Sequence, residues 1–76
     1  MDEYEICLGS TAIVVQYYST ETQEFIQEKQ VEYCKTLGGD WTGVCYMFLA
    51  YSGDLQFSLV GQGKSAVETC DIIFQK

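Results

Sequence analysis

The segment from Thr20 to Gly39 constrains the fold most, because it spells out one amphipathic helix from start to stop. Thr20 and Gln23 have capping-box spacing: the hydroxyl accepts from an early backbone N–H and the amide reaches back. The helix is expected to run to about Leu37, where Gly38-Gly39 ends it. At about 100° per residue, Ile26, Tyr33, Cys34 and Leu37 gather on one side. Glu21, Glu24, Glu28 and Glu32 gather on the other, with Phe25 beside them. Such a helix must lay its apolar stripe against another element, so the rest of the chain has to supply that surface.

The neighbouring segments look like strands. Tyr4, Ile6 and Leu8 alternate with Glu3, Glu5 and Cys7, the pattern of a half-buried strand. Gly9-Ser10-Thr11 resembles a turn, and Ala12 to Tyr18 is β-branched and aromatic, which suits a central strand. Beyond the Asp40–Gly43 connection, Val44 to Tyr51 is strongly apolar, Ser52-Gly53-Asp54 suits a hairpin turn, and Leu55, Phe57 and Leu59 alternate with Gln56, Ser58 and Val60. The last segment fits two templates. Ser65 and Glu68 repeat the capping-box spacing and Ala66, Val67, Cys70, Ile73 and Phe74 share a helical face, whereas Cys70, Ile72 and Phe74 also alternate; the cap favours helix. The expectation is one α+β domain over residues 1–76, in ββαββα order: an antiparallel sheet of about four strands with one or two helices on one face.

Charge narrows the chemistry. Of 76 residues, 11 are Asp or Glu and 4 are Lys, with no Arg or His, for a net charge of -7. Without Arg there is no bidentate clamp for phosphate, and without His the commonest metal ligand and neutral-pH base are missing. A Cys nucleophile would lack its usual partner, no D-x-D-x-D-G loop offers a calcium site, and no basic patch exists to neutralise a nucleic-acid backbone. The chain is therefore expected to be no enzyme, to need no metal or cofactor, and not to bind nucleic acid directly.

No apolar run reaches the roughly 18–20 residues a bilayer span requires, and Met1-Asp2-Glu3 is acidic where a secretory leader would be basic. These features point to the cytoplasm. Cys7, Cys34, Cys45 and Cys70 form no C-x-x-C pair. Two disulfides could connect them in three ways, but a cytoplasmic setting favours buried, reduced thiols.

The acidic row is the sharpest functional signal. Glu24, Glu28 and Glu32 stand about 6 Å apart along the helix axis, and like charges at that spacing cost a helix about 0.2–0.5 kcal/mol per pair. A row retained against that cost suits docking on a basic groove, since phosphates along a DNA strand have comparable spacing; the competing explanation is a solvated face that keeps a small protein soluble. Phe25 beside the row, and Asp40 with Trp41 just past the helix, complete the candidate partner-binding set of Glu21, Glu24, Phe25, Glu28, Glu32, Asp40 and Trp41. Gly61-Gln62-Gly63-Lys64-Ser65 ends like a phosphate-binding loop, but Ser58 stands where the full motif has Gly.

Size, acidity and aromatic content together resemble the small phage-encoded inhibitors of host defence nucleases, the anti-CRISPR and DNA-mimic anti-restriction proteins. The resemblance is one of class, with no shared motif. It implies a non-catalytic protein-binding inhibitor that blocks the basic nucleic-acid-binding surface of a partner in the host cytoplasm. The alternative is a small structural or regulatory domain that self-associates, by extending a sheet across a two-fold axis, and whose acidity serves solubility. A third reading is phosphate-ligand binding through Lys64 and Ser65.

Overall fold

The computed structural model describes all 76 residues and contains four helices and no strand: α1 (Glu3–Tyr17), α2 (Gln23–Leu37), α3 (Gly39–Gly61) and α4 (Ala66–Ile73). The expected α+β architecture is thereby overturned. Both segments of the first supposed hairpin lie in α1, and the Val44–Tyr51 and Leu55–Val60 segments both lie in α3. The supposed turns at Gly9-Ser10-Thr11 and Ser52-Gly53-Asp54 are helix interior.

The reason lies in what the helices bury. α1 turns Ile6, Cys7, Ser10, Thr11 and Val14 inward, a spacing of 3.6 residues per turn. α3 turns Cys45, Phe48, Gln56 and Leu59 inward at the same period, with Ser52 half-buried between them. Polar residues sit in the buried stripe and apolar ones outside it, so the hydropathy pattern hides the helical repeat. Of 14 buried residues, five are polar and four are half-cystines.

Local chemistry sets the helix ends. Asp2 caps α1 by accepting from the Glu5 backbone N–H at 2.9 Å. The cap of α2 is Thr22, two residues after the expected Thr20, and it accepts from the Phe25 N–H at 3.1 Å. Gly38 ends α2 and begins α3, with φ of 74°, and Gly39 follows at 55°. Left-handed backbone at both positions suits glycine and lets the chain reverse in a very short connection. The Ser65–Glu68 capping box forms in both directions, so the last segment is the helix that its cap favours.

α1 and α3 pack on each other and each touches both α2 and α4, which do not meet. The molecule is a slab of 33 × 29 × 17 Å. Two disulfides hold it: Cys7–Cys70 joins α1 to α4 and Cys34–Cys45 joins α2 to α3. No cysteine is free, which corrects the expectation of reduced thiols. That expectation came from an assumed compartment, whereas pairing follows from which helices lie side by side. Both bridges join the Ile6–Phe48 cluster, against which Trp41, Phe74 and Tyr33 pack.

A polar layer crosses the bundle next to this cluster. Gln30 Nε2 donates to the Ser10 carbonyl at 3.1 Å and to Gln56 Oε1 at 3.2 Å. Gln56 Nε2 donates to Ser10 Oγ at 2.9 Å and to Thr11 Oγ1 at 2.7 Å. Ser10 Oγ donates in turn to the Ile6 carbonyl at 2.7 Å. A satisfied network of this kind pins the register of α1, α2 and α3, because sliding any helix would strand buried polar groups. Thr69 Oγ1 is buried with no hydrogen-bond partner.

Candidate functional site: an acidic helical face

The acidic row survives the change of fold because it belongs to α2. Ile26, Gln30 and Cys34 point inward at four-residue intervals, which turns Glu24, Glu28 and Glu32 outward; all three are exposed, as is Glu21 just before the helix. With Gln27, Val31 and Lys35 the three glutamates line a shallow, open groove.

Local neutralisation is slight. Lys29 Nζ lies 3.5 Å from Glu32 Oε2, with both side chains solvent-exposed; such a pair is worth about 0–1 kcal/mol. Glu21, Glu24 and Glu28 have no ion-pair partner. The helix dipole helps hold Glu24 in the first turn, and Lys35 suits the last.

The structure divides the remaining candidates. Phe25 is half-buried and meets Tyr17 edge-on, with ring centroids 5.4 Å apart, while Lys29 lies 5.4 Å from its centroid. It ties the end of α1 to the start of α2 and offers only part of its ring beside the row. Trp41 is half-buried against the core cluster, and Asp40 is exposed in the first turn of α3, past the opposite end of α2 from Glu21. Glu24, Glu28 and Glu32 therefore form one surface, with Phe25 at its margin, Glu21 ahead of the helix in a separate hollow with Tyr18, Ile26 and Phe57, and Asp40–Trp41 beyond the far end.

Lys64 and Ser65 lead into α4. Ser65 Oγ accepts from the Glu68 N–H at 3.1 Å, and the Ser65 N–H donates to Glu68 Oε1 at 2.9 Å. The Glu68 carboxylate, held below the usual range by these bonds to Ser65, already occupies the anion position at this helix start. A phosphate would have to displace it.

Other titrating groups are dispersed. Tyr4 donates to Asp71 at 2.6 Å, and this bond to a carboxylate raises its pKa. Burial raises that of Tyr33, with Glu5 adding to the effect. The disulfides leave no thiol for nucleophilic chemistry. No group of three or more Cys, Asp or Glu is close enough to hold a metal ion, and no helix is long and apolar enough to cross a membrane.

Sequence reasoning missed a second surface. Tyr46, Met47, Tyr51 and Leu55 project outward from α3, with Met47 60% and Tyr51 84% exposed. The strand reading divided these residues between two strands at Ser52-Gly53-Asp54, so they did not share a face. The signal for an exposed stripe was present in the four-residue interval of Met47, Tyr51 and Leu55.

No protein-family model matches the sequence, and no curated protein or solved structure is similar to it.

Proposed function

We propose that this protein acts by contact, presenting the outward face of α2 to a lysine- and arginine-rich surface of a nucleic-acid-handling partner and obstructing it. The observation that supports the reading is the exposure of Glu24, Glu28 and Glu32 along one helix, with Glu21 exposed just before it and a single lysine within ion-pair distance. Carboxylates spaced by a helical turn can occupy sites that otherwise hold successive phosphates, and electrostatic complementarity of this kind speeds encounter and selects partners by sign.

The disulfides bear on where the contact is made. Such bonds persist in oxidising compartments and are rare in reducing cytosol. We therefore place the partner in an oxidising setting, in preference to the host cytoplasm that the anti-CRISPR resemblance implies.

The test is capture of a partner by the immobilised protein, at about 50 mM and about 500 mM salt, where screening differs several-fold in range. The wild type should retain its partner at low salt and lose it at high salt. Glu24→Lys/Glu28→Lys/Glu32→Lys should lose it at both, with helicity preserved because all three side chains are exposed. Equal capture by the triple variant would rule the α2 face out.

A further inference from the structure

The outward side of α3 combines an apolar ridge with flanking carboxylates and holds no cation. From Trp41 to Gly61 the helix has one charged residue, Asp54. Met47, Tyr51 and Leu55 follow one another at four-residue intervals and are 60%, 84% and 43% exposed. Asp40 and Asp54 stand seven residues before and after Met47, close to two helical turns each way. Both therefore flank the ridge on its own side of the helix, and both are exposed.

A groove runs along each side of the ridge. One, of about 360 Å³, lies between Val44, Phe48, Ile73 and Phe74, and Glu3 is the only charged residue lining it. The other, of about 410 Å³, lies between Tyr46, Leu49, Gln27 and Val31, and Asp54 is the only charged residue lining it. None of Glu3, Asp40 and Asp54 has an ion-pair partner. The helix dipole accounts for Glu3 and Asp40, each in a first turn. It gives no benefit to Asp54, which lies past the middle of α3. The four lysines are elsewhere: Lys29 and Lys35 on α2, Lys64 just before α4, and Lys76 over the Tyr4 ring.

We propose that this face receives a basic amphipathic helix of another protein. Its apolar side lies along the Met47–Tyr51–Leu55 ridge, and its lysines or arginines meet Asp40, Asp54 and Glu3. Sign selects this occupant. A second copy, at net charge -7, would set the same carboxylates against one another, and an anionic membrane would be repelled. Size agrees. At about 150–250 Å² per large side chain, the three ridge residues present roughly 400 Å². That is about half of the roughly 800 Å² per partner in a standard protein interface, and it suits one helix better than a globular face. Asp40 and Asp54 stand about 21 Å apart along the axis. A helix lying along α3 meets both with basic residues some four turns apart, and it places apolar anchors between them.

The contact is separate from that of α2, and the test keeps the two apart. The probe is an amidated peptide of about 15 residues, made of leucine and lysine with the leucines in one helical stripe. A scrambled peptide of the same composition carries the charge without the stripe. In titration calorimetry the striped peptide should bind at least about 10-fold more tightly than the scrambled one, with a negative heat-capacity change from apolar burial. A striped peptide with glutamate in place of lysine should not bind. Met47→Ser/Tyr51→Ser should abolish the preference for the stripe, and Asp54→Lys should weaken the striped peptide about 10-fold. Should the double variant fail to fold, Tyr51→Ser alone tests the ridge, since that ring is almost wholly exposed. Glu24→Lys/Glu28→Lys/Glu32→Lys weakens both basic peptides by its charge but should keep the ratio between them. Equal binding of the striped and scrambled peptides, binding of the glutamate peptide, a preference indifferent to the ridge substitutions, or one lost with the α2 glutamates would overturn the proposal.

Discussion

Removing the disulfides one at a time should cost unequal amounts, in an order set by chain topology. Cys7–Cys70 closes a loop with a sequence separation of 63, and Cys34–Cys45 one of 11. In chain-entropy terms the longer loop constrains the unfolded ensemble by about 4 kcal/mol and the shorter by about 3 kcal/mol. All four half-cystines are fully buried, so the packing lost on truncation to Ala is similar at both sites and largely cancels in the comparison. A domain of this size has a stability of roughly 4–11 kcal/mol in total. Cys7→Ala/Cys70→Ala should therefore stand close to the unfolding threshold, while Cys34→Ala/Cys45→Ala retains a measurable transition. At about 4–8 °C per kcal/mol, the longer bridge should be worth some 15–30 °C in melting temperature and the shorter one about 10–20 °C. Thermal and urea unfolding followed by far-UV circular dichroism measures both variants, and the wild type with and without reductant. A larger loss from the short bridge, or a wild-type melting curve unmoved by reductant, would refute this account of what holds the helices together.

The polar layer should behave as a unit. Gln56→Leu should cost about 2 kcal/mol by stranding Ser10, Thr11 and Gln30, while the added cost of Gln30→Leu in that background should be smaller than its cost alone, as urea titrations in a double-mutant cycle will show. Thr69→Val should raise stability by about 1 kcal/mol, since it removes a buried hydroxyl that has no partner; a fall in the urea midpoint would mean the hydroxyl is satisfied. Gly9→Ala would ordinarily favour a helix interior by about 1 kcal/mol, but a Cβ there would overlap the Tyr33 ring, coming within 2.9 Å of its Cε1. The net effect should be a loss of about 1–3 kcal/mol, typical of overpacking, and it should shrink when Tyr33 is truncated. Glu68 has its pKa lowered by bonding to Ser65. Its cap therefore supports folding above the ordinary glutamate value of about 4.3 and is lost as pH falls through the lowered folded value. Glu68→Gln should flatten the acid limb of the melting-temperature profile.

The parts of the molecule legible in the sequence are those whose signals are local. Thr20–Gly39 was recognisable as a helix because its glutamates and its Ile26–Cys34 stripe lie on opposite sides, and the candidate acidic face came with it. Even there the cap moved to Thr22, because two hydroxyl residues compete for the position. Ser65 and Glu68 announced the last helix through a reciprocal bond between neighbours in the chain. α1 and α3 were hidden, because Ser10, Thr11, Ser52 and Gln56 fill positions where hydropathy expects Leu or Ile.

By itself the sequence determined the net charge, the glutamate row, the glycine stop after Leu37 and the cap of α4, since each depends only on residues within a turn or two of one another. Tertiary structure alone decided that α1 and α3 are helices, that Gln30 and Gln56 are interior, and which cysteines meet. A glutamine becomes a core residue only when Ser10 and Thr11 arrive from another helix to satisfy it. A disulfide is chosen by which helices lie side by side, and that adjacency is a property of the packed bundle that no local window contains.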